Sequence, residues 1–354
     1  MSSLSENTIE TGVRGHISMK ENFNSSNKER NPSSSPKPKN PYQNTEGKVL
    51  PFRKSSVKSS TKEASNDVRV SHLLEPVDSE GNTPFMLVAE SGDLKSIKSL
   101  TTNSSAKPGV NRRNIKGSTA IILASRNGYS DVVAYLLSEF PDLDLEIQNF
   151  EGKTALMIAS EFGRIDVVKA IIFNSKTVNV ELKDVHGFTA LMLAAFGGHK
   201  EVVQLLVSEA KANVDTFSKV GYTALMYTIK FGYNELFEYF VSEAKANADL
   251  YNLFGKNAFM LALNEERDDM ASYLIDHANV SIDCEDRGFA MKSLRWAICN
   301  DFGKIVKFLL EKVDSIADFK DDNGMTGLMW AVKTANKDIV ELIVTKHLSD
   351  VNTQ

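Results

Sequence analysis

Along most of the chain, two short apolar segments with helical periodicity alternate with a polar turn, and the alternation returns at a fixed interval. In residues 149–182, Leu156 and Ala159 lie three apart on a short amphipathic stretch, and Val167, Val168, Ile171 and Ile172 follow at helical spacing. Thr154 precedes Ala155 as an N-cap whose hydroxyl can accept from an orphan N–H one turn on. In the first copy the same slot reads Thr83-Pro84, with proline at the first helical position. Gly163 ends the first helix as a residue free to turn left-handed. After the second helix, Val178-Asn179-Val180-Glu181 runs extended toward Asp184 and a turn at Gly187. The predicted unit is turn, helix, tight turn, helix, extended return.

The turn and first helix carry a phrase that recurs eight times, for example Gly-Lys-Thr-Ala-Leu-Met from Gly152, Gly-Phe-Thr-Ala-Leu-Met from Gly187 and Gly-Tyr-Thr-Ala-Leu-Met from Gly221. Copies begin at Gly81, Gly117, Gly152, Gly187, Gly221, Gly255, a degraded Ala290, and Gly324, at intervals of 34 to 36 residues. A fixed period of this length predicts a solenoid, because each unit is too small to bury its own apolar face and must stack on its neighbours. Such a chain is a binding surface before it is a catalyst.

The pattern resembles the ankyrin repeat, on residues that include Asp184, Gly187, Thr189, Leu191, Ala194, Gly198, Val202, Val203, Leu205, Leu206, Val214 and Asp215. The resemblance covers about residues 75–354 in all eight copies. It implies an all-α solenoid of stacked helix-turn-helix units with β-turn or hairpin tips. Two departures stand out. The family's histidine after the leucine is methionine in six copies (Met86, Met157, Met192, Met226, Met260, Met329), so that histidine's bonding to the turn is lost and a thioether fills the gap. The glycine between helices gives way to Glu266, Asp301 and Ala335 in the last three copies. Left-handed geometry there costs a non-glycine residue roughly 1–2 kcal/mol.

Residues 1–70 break the pattern. They hold 14 serines, 12 Lys/Arg and 7 Asp/Glu, a net +5, against −10 for the remainder. Few large apolar side chains occur there, so this basic tail is expected to be disordered and the repeat domain to occupy 71–354. Ser35 before Pro36, and Ser56 after Arg53-Lys54, are candidate phosphorylation sites. Pro38 and Pro41 have a polyproline-ligand spacing. An alternative function follows: a targeting or regulatory subunit whose tail docks a kinase, phosphatase or SH3-type module.

Catalytic and ligand motifs are absent. There is no phosphate loop, Gly-x-Gly-x-x-Gly, His-Glu-x-x-His or nucleophile elbow, and Cys284 and Cys299 have no matching histidine pair and read as buried thiols. No cofactor, metal or small-molecule substrate is expected. No run of 18 apolar residues occurs, and the start Met-Ser-Ser-Leu-Ser-Glu lacks a signal-peptide core, so an intracellular, cytoplasmic or cytoskeleton-associated protein is expected. The tail's charge is too dilute to predict a nucleic-acid partner. The resemblance implies an inner surface made from residues flanking the turn glycine and from the two before the inter-helix glycine. There the chain places Phe150, Phe162, Phe188, Phe196, Tyr222, Phe231 and Phe254. These rings are the expected contact strip for a protein partner.

Overall fold

The computed structural model describes residues 75–102, 109–175, 178–278, 280–282, 287–313 and 315–352, with side chains to residue 346. All lie in one compact unit, Lys62–Gln354. Among the described residues there are sixteen α-helices and one 3-10 turn, Ile316–Asp318.

The helices come in pairs, a short first helix and a second. They are α1 (Pro84–Ser91) with α2 (Leu94–Thr102), α3 (Ala120–Asn127) with α4 (Ser130–Glu139), α5 (Ala155–Glu161) with α6 (Ile165–Asn174), and α7 (Ala190–Phe196) with α8 (Lys200–Ser208). The rest are α9 (Ala224–Phe231) with α10 (Asn234–Ser242), α11 (Ala258–Asn264) with α12 (Asp268–His277), α13 (Arg287–Cys299) with α14 (Gly303–Lys312), and α15 (Gly327–Lys333) with α16 (Lys337–Asn352). First helices pack on first helices in an unbroken row from α1 to α11, and each packs on its own second helix.

Local chemistry starts six of the eight first helices in the same way. Thr83, Thr154, Thr189, Thr223, Asn257 and Thr326 each accept a hydrogen bond from the backbone N–H three residues on. A cap of this kind stabilises by about 1 kcal/mol, and here it recurs six times along one core. Thr119 is an exception: its hydroxyl makes no such bond and is buried without a partner. In the first repeat the thioether does more than fill space, since the Thr83 N–H donates to the Met86 sulfur at 3.5 Å and completes a capping box.

The first helices of the second to sixth repeats are apolar all round over their first six residues because those residues are all buried. In α7 every residue from Ala190 to Ala195 is buried. Alanines at the first and fifth positions, such as Ala155 and Ala159, let neighbouring helices approach closely. The second helices bury one face only, through pairs such as Val167–Val168 and Val202–Val203. The inter-helix position is left-handed throughout, including at Glu266 (φ 54°), Asp301 (φ 61°) and Ala335 (φ 56°), where a Cβ opposes that conformation. The degenerate seventh copy has lost its turn and grown its helix: α13 runs for 13 residues where the other first helices run for 7 or 8. Among the described residues no helix is long and apolar enough to cross a membrane.

Candidate functional site

The turns that precede the first helices form a row along one side of the array. Each is closed by its leading residue. Asn149 Oδ1 accepts from the N–H groups of Glu151 (3.0 Å) and Lys153 (2.9 Å), and Asp184 Oδ1 accepts from those of His186 and Phe188, both at 2.8 Å. Successive turns are bonded to each other backbone to backbone. The N–H of Ile115 donates to Glu80 O, Phe150 to Lys116 O, Val185 to Glu151 O, Lys219 to His186 O and Leu253 to Val220 O, at 2.9 to 3.4 Å. The contact is close enough to require glycine. A β-carbon on Gly152 or Gly221, both at positive φ, would lie 2.7 or 2.6 Å from the backbone nitrogen of the next turn.

This construction leaves the second residue of each turn pointing away from the core. Ile115 is 61% exposed, Phe150 68%, Val185 45% and Leu253 75%, and Phe254 beside Leu253 is 38% exposed. Lys219 interrupts the row at the fifth turn. Backbone bonding from turn to turn therefore carries a line of apolar side chains in solvent, in the second, third, fourth and sixth repeats. Phe150, one of the expected contact residues, lies under the Arg113 guanidinium, 5.2 Å from its centroid. Ile115, Val185 and Leu253 were not anticipated. The available signal was an aliphatic residue directly after the Asn or Asp of the turn.

The residue after each turn glycine behaves differently. It folds back over the end of the first helix of its own repeat, eight residues on. Lys153 Nζ pairs with Glu161 at 2.8 Å, Phe188 meets Phe196 edge-on at 5.9 Å, Lys230 Nζ lies 5.5 Å from the Tyr222 centroid, and Lys256 Nζ donates to Asn264 Oδ1 at 3.1 Å. Two expected contact residues are corrected by this geometry: Phe188 and Tyr222 are 5% and 2% exposed and belong to the core. The cause is Tyr227 of α9, which stacks on Phe188 at 5.0 Å and packs against Tyr222 at 5.2 Å while its hydroxyl lies 3.2 Å from Ser218 Oγ. The neighbouring first helices have an aliphatic residue at that position, Ile158, Leu193 or Leu261. One aromatic substitution there closes the space that the strip required.

The remaining rings divide. Phe196 and Phe231 are half-buried, 4.8 Å apart and edge-on, at the rim of the Tyr227 cluster. Phe254 touches the same cluster through Tyr222 at 6.4 Å. Phe162 is half-buried beneath the Arg126 guanidinium at 5.8 Å. The structure thus joins Phe188, Phe196, Tyr222, Phe231 and Phe254 into one network and leaves Phe150 and Phe162 each under an arginine. Ser35, Ser56 and Cys284 lie outside the described residues. Cys299, at the end of α13, is exposed, contrary to the buried thiol expected.

Electrostatics here serve stacking. Burial lowers the pKa of His199 below the usual histidine value, opposed by its bond to Glu161 O, to which Nε2 donates at 2.9 Å. The ring covers Gly163 of the preceding repeat. At Asp249, burial is outweighed by donation from the Ser281 hydroxyl and N–H and from Asn257, which holds the carboxyl below its ordinary value. Among the described residues no group of three His, Cys, Asp or Glu could hold a metal ion.

A family model described as ankyrin repeats matches the chain in overlapping segments, 60–149, 85–184, 139–218, 172–249, 225–316 and 278–354. No curated protein matches it. One solved structure, described as the Bd0816 predatory endopeptidase from Bdellovibrio bacteriovorus in complex with immunity protein Bd3460, aligns with a TM-score of 0.49 and 26% identity, over 55% of this chain and 98% of that chain.

Proposed function

The chain is a member of the ankyrin-repeat family, and from that premise we propose that it is a non-catalytic protein-binding scaffold whose partner lies along the turn row of the second to sixth repeats. The observation that carries this reading is the line of exposed apolar side chains, Ile115, Phe150, Val185, Leu253 and Phe254, on turns stiffened by backbone hydrogen bonds. Fully burying one such side chain is worth about 1.5–3 kcal/mol, and a rigid frame spares the entropy of ordering it on binding. Phe162, Phe196 and Phe231 supply the inner rim of the surface, while Phe188 and Tyr222 support it from below. Charged residues between the apolar positions give a polar rim around apolar anchors, the anatomy of a specific protein interface.

The test compares capture by the full chain and by a Phe150→Ser/Leu253→Ser variant, with Phe173→Ser as control. Phe173 is 61% exposed but belongs to α6, in the row of second helices. Proteins held by the wild type and the control, and lost by the double variant, are the expected result in quantitative mass spectrometry. Equal retention by all three chains would remove the turn row from the reading.

A further inference from the structure

The two sides of the array differ in charge more than its overall balance reveals. The turn segments 112–118, 148–153, 183–188, 217–222 and 251–256 together hold seven Lys/Arg and two Asp/Glu. The stretches with the second helices and their returns, 129–147, 164–182, 199–216, 233–250 and 267–282, hold seven Lys/Arg and seventeen Asp/Glu. A repeat array that is acidic overall is therefore basic along the turns of its second to sixth repeats. One of the two turn carboxylates is internal: Asp184 is buried and closes its own turn.

Lys116 and Lys153 are paired with Glu80 and Glu161, whereas Arg113 and Lys183 are held by neutral groups. Arg113 donates to the carbonyl oxygens of Gly117 (3.1 Å) and Gln148 (2.6 Å), and Lys183 Nζ donates to Phe217 O at 2.8 Å. Each of these bonds ties one repeat to the next or closes a turn, and a neutral carbonyl leaves the cation its full charge. Arg113 and Lys183 are exposed, as are Arg112, Lys116 and Lys219. Repeats stack roughly 10 Å apart, comparable to the screening length of about 8 Å at physiological salt, so the fields of neighbouring turns add. The same turns carry the exposed apolar row.

From this juxtaposition we propose that the turn row takes an acidic protein segment bearing spaced apolar anchors. This rests on the turn row being the binding surface and adds the chemistry of what binds. Carboxylates of the segment meet Arg113, Lys183 and Lys219, and its apolar residues cover Phe150, Val185 and Leu253. The acidic row of second helices repels the same segment, so that one side of the array is selected. A bare polyanion such as RNA supplies the charge but leaves the aliphatic side chains uncovered, and a protein segment fits both.

The test is selection of random 16-residue peptides displayed on phage against the full-length chain, followed by fluorescence anisotropy of the winning peptide. Winners with net negative charge and at least two apolar residues are expected. Their affinity should fall about tenfold or more in Arg113→Gln/Lys183→Gln/Lys219→Glu and at raised salt, and should be unchanged in Asp166→Lys/Glu235→Lys. Thermal melting of each variant checks that the fold is kept, and Lys219→Glu alone, a change at an exposed turn side chain, is the second variant. Neutral or basic winners that lose binding in Phe150→Ser/Leu253→Ser would overturn the charge assignment and leave the surface standing. Winners indifferent to both sets of substitutions, or an empty selection, would remove both. Tighter binding of a 20-nucleotide single-stranded RNA probe, abolished by the charge variants but not by Phe150→Ser/Leu253→Ser, would reassign the surface to nucleic acid.

Discussion

From the second turn to the sixth, each turn is bonded to the one before it, and each first helix from α1 to α11 packs on the next; beyond α11 both links weaken. Contact between α11 and α13 is sparse and resumes only between α13 and α15. A β-carbon added to Gly117, Gly152, Gly187 or Gly221 would run into the next turn's backbone at 2.6 to 2.9 Å, whereas one added to Gly255 or Gly324 would meet nothing within 4 Å. The turn phrases at Gly221 and Gly255 are alike, so the turn glycine is not crowded by its own repeat. It is crowded by the following one. Where that repeat converts its turn into helix, as α13 does, the preceding glycine is left uncovered. Stacking there passes to rings instead, with Phe259 of α11 against Phe308 of α14 at 4.9 Å.

The contrast can be broken most directly at the fourth position of two first helices. Tyr227 is buried among rings from two repeats, while Trp330 is half-buried, donates to Asp321 at 2.9 Å and carries Lys333 4.4 Å from its centroid. Tyr227→Ala is expected to lower stability in urea unfolding by about 3–5 kcal/mol and Trp330→Ala by about half as much. Equal losses would mean that the last repeat is as tightly packed as the fifth. Next in size are the glycines. Gly221→Ala should cost about 2–3 kcal/mol, from backbone strain plus collision with the next turn, and Gly324→Ala only the roughly 1–2 kcal/mol of strain. If Gly324→Ala proves the worse of the two, the open turn is not open in solution.

Ala335→Gly removes left-handed strain at a site with no side-chain bond to lose. A gain approaching 1 kcal/mol, read as a higher urea midpoint, is expected. The smallest effect concerns acid. The folded pKa of His199 is depressed, so its contribution is fully present above the unfolded value of about 6.5 and is lost as pH falls toward and through the folded value. Arg267 and Phe302 occupy the equivalent place in the sixth and seventh repeats. Mild acid should therefore loosen the contact between the third and fourth repeats. Hydrogen exchange at pH 5 and 7.5, in wild type and in His199→Gln, would show the change confined to that boundary in the wild type and abolished in the variant.

The architecture was legible because its determinants are repeated and local: a threonine cap, alanines at close approaches, a glycine between helices. The site was legible only in part, since it depends on which neighbour fills which space. Phe188 and Tyr222 occupy positions that hold a lysine in the third and sixth repeats, and only the unusual Tyr227 turns them into core. Ile115, Val185 and Leu253 looked like unremarkable aliphatic residues in a turn. Their exposure follows from hydrogen bonds between backbone groups of different repeats, and such bonds leave no mark in side-chain identity.

Those turn-to-turn bonds have a consequence for how such a molecule changes over generations. The frame asks nothing of the side chain at the second turn position, where isoleucine, phenylalanine, valine, lysine and leucine already alternate from one copy to the next. Specificity can drift there one residue at a time while the scaffold that displays it stays the same.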